Sequence, residues 1–464
     1  MTDKNHVLLV QAPVPGSHNR IVAKSSAIPP LGIGYLASIL LVDGFDVRLI
    51  DMDMEDVGPK EFREILSSFQ PNVLGISTTT LTLKNGLRVA KVAKQLLPDC
   101  IVCLGGPHVS VMPQDALHYA FIDVVVCGEG ELTFRELCRA IADELILPRP
   151  ILGTVWRLPD GGILTAPPRP RLDDLDSLPF PARHLMPLFR YNIPGTIVTS
   201  RGCPFACGFC AGPTVLGRKY TVRTAEKVVD EVQMCVDLFY LTSFYFVDDT
   251  MTHSTSRLNL ICNGLRDIKI PSSLNRELKW TCESRADVVS PEILAEMRLA
   301  GCTTIQFGME SGSQELLDQL GKKLTTKQIE QAVVWSREAG ISPVLSMVFP
   351  HPNETTETLK ESFNFIRRLY DVGAEKIIPS LLTLFPGTRF RRDAADLGLS
   401  IITEDTDEYN LGTPVVTTRY FDFEAVANGY SQLLLLTQSL GGVEIGGLAI
   451  TDPEHPTFPW MLVS

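Results

Sequence analysis

Long apolar runs are missing from this chain of 464 residues. No stretch of about 20 residues is uniformly apolar, which argues against a transmembrane helix. The nearest candidate, residues 433–450, carries Gln438, Glu444 and four glycines. A secretory leader is not legible either: Asp3 stands beside Lys4, the apolar run 7–10 is short, and Pro13 and Pro15 follow at once. A cytoplasmic protein is therefore the expectation. Positive charge is in deficit, with 42 basic against 54 acidic side chains, a net charge of −12 and no basic arm. That balance excludes a nucleic-acid binder working by phosphate neutralisation. Low-complexity tracts are absent as well. Hydrophobic residues at 45% and charged residues at 21% exclude a disordered or fibrous chain. Eleven cysteines without a leader should be thiols or metal ligands rather than disulfides.

Length alone allows two to four domains, and the pattern divides the chain. Residues 1–147 alternate short apolar runs with helical stretches: strands at 7–13, 45–51, 72–78, 100–106 and 121–130, and helices at 31–44, 61–69, 87–97 and 131–143. This alternation predicts a doubly wound, flavodoxin-like parallel sheet of the Rossmann type, which binds ligands at the carboxyl ends of its strands. Those ends read Ser77-Thr78-Thr79, Gly105-Gly106-Pro107-His108 and Gly128-Glu129-Gly130, small or polar where a ligand would approach.

Residues 148–192 are dense in proline and read as an extended, packed linker. From 193 to 400 the alternation resumes, with strands at 196–200, 243–249, 279–284, 303–310, 341–349 and 376–385. Six such units predict a partial (β/α)6 barrel. Residues 401–464 read as a small C-terminal region with a helix covering the barrel mouth, and the segment ends in PTFPWMLVS.

The chemistry is concentrated in SRGCPFACGFC, directly after the first barrel strand. Cys203, Cys207 and Cys210 stand in C-x3-C-x2-C spacing, so three thiolates share one tight loop and can face a soft metal centre. Structural zinc or a buried cysteine cluster are the plain alternatives, but zinc wants a fourth ligand and none is spaced for it nearby. Three cysteines holding a [4Fe–4S] cluster leave one iron open for an exogenous ligand. The other eight cysteines are scattered through strands and helices, and none lies beyond Cys302, which argues against an auxiliary cluster.

With Phe209 before the last cysteine, this loop resembles that of the radical S-adenosylmethionine (SAM) superfamily. The resemblance extends through YFVDDTMT (245–252), WTCESRADVVSPEILAEMRLAGCTTIQFGMESGS (280–313) and LFPGT (384–388). It implies that the open iron binds the amino and carboxylate groups of SAM, and that the reduced cluster cleaves SAM to a 5′-deoxyadenosyl radical. It further implies that Glu310 meets the ribose hydroxyls and Arg285 the carboxylate or substrate. Asp248 and Asp249 end a strand where carboxylates can meet an ammonium group, helix capping being the alternative. Ser311-Gly312 lets backbone approach a ligand closely. One departure stands out. The family's Gly-x-Pro-x-Glu-Thr is here Pro350-His351-Pro352-Asn353-Glu354-Thr355, and proline removes an amide donor.

Residues 1–147 are similar to the cobalamin-binding domain of one radical SAM subclass, through PPLGIGYLASIL, DGFDVRLIDMD, GISTTT, GGPHVS and VVCGEGELTF. The resemblance implies that Ser77, Thr78, Thr79, Gly105 and Gly106 accept the nucleotide tail, with His108, Gly128, Glu129 and Gly130 lining the pocket. The Asp-x-His-x-x-Gly motif is absent, and His18 reads as a solvated loop histidine, so no histidine ligation of cobalt is expected. The resemblance as a whole implies a methyltransferase acting on an unactivated carbon of a small molecule, with a flavodoxin or ferredoxin as electron donor. Oxidative cyclisation or rearrangement, as in anaerobic porphyrin-ring cyclases, is the alternative, and a non-catalytic carrier a third.

Overall fold

In the computed structural model, which describes residues 5–16 and 28–441, strands form where apolar runs are short and helices where apolar positions recur at helical spacing. The chain divides into two compact units, Met1–Asn192 with Asp405–Asp407, and Ile193–Glu404 with Glu408–Ser464.

The first unit follows the order β1 (His6–Gln11), α1 (Leu31–Val42), β2 (Asp46–Asp51), α2 (Pro59–Phe69), β3 (Val73–Ser77), α3 (Leu83–Leu96), β4 (Ile101–Gly105), short helices α4 (Pro107–Val111) and α5 (Gln114–Leu117), β5 (Val124–Val126) and α6 (Glu131–Ala142). β1 to β5 run parallel in the order β2-β1-β3-β4-β5. Their sequences are apolar on both faces (VLLV, VVV) because helices cover both sides. The order reverses between β1 and β3, so the ligand crevice of this sheet opens at Ser77 and its neighbours.

The stretch read as a linker is only partly one. β6 (Thr154–Arg157) and β7 (Ile163–Thr165) form a hairpin that extends the sheet antiparallel beyond β5. Proline density concealed two strands of three and four residues. The rest is packed, as expected: Ala182 N–H donates to Gly34 O at 3.0 Å, and a Cβ on Gly34 would meet Met186 Cε at 2.4 Å. Tyr191 then donates to Asp51 at 3.0 Å at the end of β2, and burial raises that carboxyl to about 6.

The second unit holds β8 (Gly195–Ile197), the small pair β9 (Ser200–Arg201) and β10 (Thr221–Val222), α7 (Gly212–Val215), α8 (Ala225–Phe239), β11 (Ser243–Phe246), α9 (Thr255–Arg266), β12 (Lys279–Ser284), α10 (Pro291–Leu299), β13 (Cys302–Glu310), α11 (Gln314–Gln319), α12 (Thr326–Glu338), β14 (Ser342–Phe349), α13 (Thr356–Asp371) and β15 (Lys376–Leu381). Six strands lie parallel in the order β15-β14-β13-β12-β11-β8, the sequential winding of a partial barrel. Their core is aromatic, with Phe244, Phe246, Trp280, Phe307 and Phe349 fully buried, each worth roughly 2–3 kcal/mol. Helix α9 has no counterpart in the sequence reading, since Asn259, Asn263 and Gly264 are weak helix formers. Packing supplies the reason: a Cβ on Gly264 would lie 2.4 Å from Val229 of α8, so glycine lets the helices close.

After α14 (Arg389–Arg392), the antiparallel pair β16 (Leu399–Ile401) and β17 (Val416–Thr418) precedes α15 (Phe423–Gly441). This helix was expected over the mouth. It lies instead along β15 and α13, where Tyr430 reaches Pro379 O at 3.4 Å and Tyr370 reaches Thr437 O at 3.1 Å. An apolar helix finds a better partner in an uncovered strand edge. His18 and the PTFPWMLVS segment lie outside the described residues. Among the described residues no helix is long and apolar enough to cross a membrane.

Candidate functional site

β8 ends at Ile197, and the chain reaches Cys203 only six residues later. That short path is anchored by a buried carboxylate. Asp248, just after β11, accepts Thr199 N–H at 2.7 Å, the Thr199 hydroxyl, and Ser200 Oγ at 2.7 Å. Arg257 donates to Thr199 O and Arg223 O, both at 2.8 Å, and Arg223 itself pairs with fully buried Glu231. Asp248 therefore serves the loop rather than a ligand. Its neighbour Asp249 is exposed at the mouth; a Cβ on Gly212 would approach its carboxylate to 3.9 Å. Burial on its other sides and the charge of Asp248 raise its pKa.

The cysteine loop is shaped by glycines. Gly202 has φ +88°, and a Cβ on Gly208 would stand 2.2 Å from the Phe390 ring. Phe390 N–H donates to Gly208 O at 2.9 Å, so the LFPGT turn and α14 back the loop. Phe209 meets Phe390 edge-on with centroids 6.4 Å apart, which makes it a packing residue. Gly212 N–H donates to Cys210 Sγ at 3.3 Å. All three cysteines are half-buried, and burial pushes their thiols up, Cys210 to about 12. Iron binding takes those protons away. Among the described residues no three metal-binding side chains converge on one ion as a zinc site requires. A cubane takes one thiolate per iron, and three soft donors on one glycine-shaped loop supply that donor set.

The remaining mouth residues form a connected set. β13 ends in a bulge, where Gly308 pairs with Ser346 but Glu310 with Met347. Glu310 consequently sits at φ +62°, a strained setting that re-aims its side chain. Its carboxylate pairs with Lys322, which also donates to Gly308 O. A Cβ on Gly308 would collide with both partners, at 2.3 and 2.5 Å, so that glycine makes their space. Buried His351 places Nε2 3.1 Å from Glu310 O, and Glu354 accepts His351 N–H at 3.2 Å and Thr358 Oγ1 at 3.1 Å. Burial lifts the Glu354 carboxyl to about 7. The Pro-His-Pro departure thus props up the Glu310 backbone from below.

Two expectations shift here. Arg285 spends its fork on Asp287, at 2.9 and 2.8 Å, and on Lys322 O at 2.6 Å. Gly312 serves packing, since its Cβ would meet Ser362 Cα at 2.5 Å; Ser311 is buried beside it and accepts Ser313 N–H. Lys322, His351 and the Thr199 anchor escaped sequence reading. A buried lysine looks like a surface one in sequence, and only the Pro-His-Pro departure flagged its neighbourhood. A cleft of about 960 Å³ opens at the opposite, amino-terminal end of the strands, lined by Arg266 and Arg298 among others. Those arginines occupy the last turns of α9 and α10, where cations offset the helix dipole, so the chemistry stays at the mouth.

In the first unit, Thr78 is buried and bonds Gly105 O from its N–H (2.9 Å) and hydroxyl (3.2 Å). Thr79 N–H donates to Thr82 Oγ1 at 2.9 Å. Gly106 has φ +107°, and a Cβ there would lie 2.2 Å from Thr78 O. Beside it Gly105 leaves open space: Val126 O, at 3.9 Å, is the one heavy atom near a Cβ among the described residues. Half-buried Ser77 and open Gly105 end adjacent strands, room enough for a long, thin tail. The four expected lining residues are engaged with neighbours in the fold. His108 is buried, with Nδ1 3.1 Å from Thr80 Oγ1 and Nε2 3.1 Å from Asp115. Glu129 accepts Leu172 N–H at 2.7 Å, tying down the proline-rich stretch. Gly130 starts α6 against Leu36, while Gly128 turns at φ +79° with its N–H on Ser110 Oγ.

A parallel nucleotide-type sheet with open strand ends, joined in sequence to a parallel six-strand unit whose first strand delivers a three-cysteine loop, fits a corrinoid-binding enzyme of SAM radical chemistry. Family models agree: residues 21–138 match the B12 binding domain and residues 197–366 the radical SAM superfamily. The chain is 32% identical over 429 residues to an uncharacterised methyltransferase of Pyrococcus horikoshii, spanning 91% of this chain and 90% of that one. It is 27% identical over 410 residues to the anaerobic magnesium-protoporphyrin IX monomethyl ester cyclase of Rubrivivax gelatinosus, 84% of this chain and 70% of that one. In fold it is similar to the radical SAM methyltransferase TsrM from Kitasatospora setae, solved with cobalamin and a [4Fe–4S] cluster, with TM-score 0.74 and 20% identity over 95% of this chain and 89% of that one. The chain belongs to the cobalamin-binding radical SAM family. It is a radical SAM enzyme whose cofactors are a [4Fe–4S] cluster, SAM and cobalamin.

Proposed function

We propose that this enzyme methylates an unactivated carbon of a small molecule. The observation that carries the reading is the pairing, in one chain, of a B12-binding sheet with a three-cysteine loop at the head of six parallel strands, in a sequence 32% identical along nearly its whole length to a protein named as an uncharacterised methyltransferase. When bound, the reduced cluster turns SAM into a 5′-deoxyadenosyl radical and cobalamin carries the methyl group to be transferred. Cys203, Cys207 and Cys210 hold the cluster. Asp249 offers a carboxylate to the SAM ammonium, and Glu310, aimed by the β13 bulge, offers its free oxygen to the ribose hydroxyls. Ser77 and Gly105 admit the cobalamin tail, while buried Thr78 and Gly106 shape the turn behind it. An electron donor of the flavodoxin or ferredoxin type fits the need for reducing equivalents, and eleven free cysteines fit the reducing cytoplasm.

The likeness to the porphyrin cyclase favours one second reading, ring closure without net methylation. Coproducts separate the two. The protein is purified without oxygen, loaded with iron, sulfide and hydroxocobalamin, and incubated with SAM and a strong reductant. About four irons and one cobalt per chain, with S-adenosylhomocysteine formed beside 5′-deoxyadenosine, is the expected result. 5′-Deoxyadenosine without S-adenosylhomocysteine turns the assignment to cyclisation. Neither product sinks both readings.

A further inference from the structure

Arg285 is only 6% exposed and stands immediately after β12, at the carboxyl end of the strands. Its Nε and Nη2 grip Asp287 in a bidentate pair at 2.9 and 2.8 Å, and Nη2 also donates to Lys322 O at 2.6 Å. Charge-assisted pairing of this kind fixes the plane of a guanidinium as well as its position. The fixed plane lies against Phe205, with Cζ 3.8 Å from the ring centroid. Phe205 is the middle residue of the Cys203–Cys207 spacer. Its edge meets His253 with centroids 6.1 Å apart, and His253 in turn meets Tyr220 at 4.6 Å. One cation thus bridges three segments: the cysteine loop through Phe205, the turn after β12 through Asp287, and the loop after α11 through Lys322.

We propose that Arg285 is a positioning residue for the cysteine loop, acting through the face of Phe205, rather than a direct contact of SAM. The inference rests on the cysteine loop being the cluster site. At 3.8 Å from the centroid, the buried guanidinium lies well inside the roughly 6 Å range over which such pairs attract. Lysine cannot replace the arginine, because an ammonium lacks the planar fork that grips Asp287 while stacking on the ring. Tyrosine can replace Phe205, because it keeps the face.

The test is a double-mutant cycle on reconstituted full-length protein: Phe205→Leu, Arg285→Gln, the pair together, and Phe205→Tyr as rescue. Readouts are iron per chain, the electron paramagnetic resonance spectrum of the reduced cluster, and the Kd for SAM measured by calorimetry without turnover. Expected are about tenfold weaker SAM binding and the same altered spectrum in Phe205→Leu and Arg285→Gln, no further loss in the pair, and wild-type behaviour in Phe205→Tyr. Wild-type SAM affinity in Phe205→Leu beside a large loss in Arg285→Gln would make Arg285 a direct SAM contact and overturn the proposal. Additive losses would overturn it too, by showing that the residues act separately. A wild-type protein that takes up no iron is a different failure, that of the cluster assignment itself. Thermal melts identify a variant that fails to fold, and Phe205→Met, which also removes the ring face, then takes the place of Phe205→Leu in the cycle.

Discussion

Thr199 gives both its backbone N–H and its hydroxyl to Asp248, the amide at 2.7 Å from Oδ1. Ser200 adds a third donor at 2.7 Å, so the carboxylate just after β11 pins Thr199 and Ser200 on the path from β8 into the cysteine loop. A charged acceptor with three buried donors is costly to remove, because the donors are then left dry and unpaired.

Asp248→Ala should therefore lower unfolding stability by about 3 kcal/mol and reduce iron retention. Asp249→Asn, one residue on and exposed, should leave stability within about 0.5 kcal/mol of wild type and weaken SAM binding instead. Urea melts beside iron assays check both. Equal stability loss at the two positions would refute the division of labour.

Cysteine replacements should sort by place in the fold. Cys203→Ala, Cys207→Ala and Cys210→Ala are each expected to abolish the brown cluster chromophore. Cys282→Ala, in the β12 core, should keep full iron and lose only packing energy. Absorption spectra after reconstitution give the answer.

The adjacent glycines at the end of β4 should behave differently. Gly106→Ala forces a methyl to 2.2 Å from Thr78 O at φ +107°, and should destabilise by roughly 1–3 kcal/mol. Gly105→Ala has 3.9 Å of clearance, so the protein should fold normally yet bind cobalamin more weakly, as cobalt content after reconstitution would report.

Glu354 sets a pH dependence. Burial raises its folded pKa to about 7 from an ordinary 4.5, so the folded state keeps a proton that the unfolded state releases between those values. Its contribution is fully present below pH 4.5 and is lost as pH rises through 7. Glu354→Gln should remove this slope, becoming more stable relative to wild type by up to about 3 kcal/mol above pH 7. Buried His351, whose pKa burial lowers, works in the opposite sense as pH falls below 6.5, and both proteins share it. Parallel melts at pH 5 and pH 8 isolate the difference.

The sequence was most readable where one periodicity ruled. Every parallel strand from β1 to β5 and from β11 to β15 falls, to within one residue, inside a run picked out by its apolar residues, and α8 at Ala225–Phe239 matches its 3.6-residue pattern end to end. Legibility failed where a distant partner decides. Gly264 breaks the helix pattern of α9 until Val229 explains it, and β6 and β7 are too short to stand out among prolines. At the site, the spacing of Cys203, Cys207 and Cys210 was visible from residue types alone. The assignments of His108, Glu129, Asp248 and Arg285 were not, because every strand end in a parallel sheet offers polar groups to the same side. Which of them a neighbour has already claimed is a three-dimensional fact, settled by Asp115, Leu172, Thr199 and Asp287.

Gly429 of α15 lies against the Phe349 ring, where a Cβ would come within 2.7 Å. Phe349 leads directly into Pro350 and His351. Slid by one residue, α15 would bring Asn428 or Tyr430 towards the place Gly429 holds, so the Phe349 ring opposes a change of helix register. A residue inserted between β17 and α15 should then bulge out in the connecting turn, because the helix resists the shift that would absorb it.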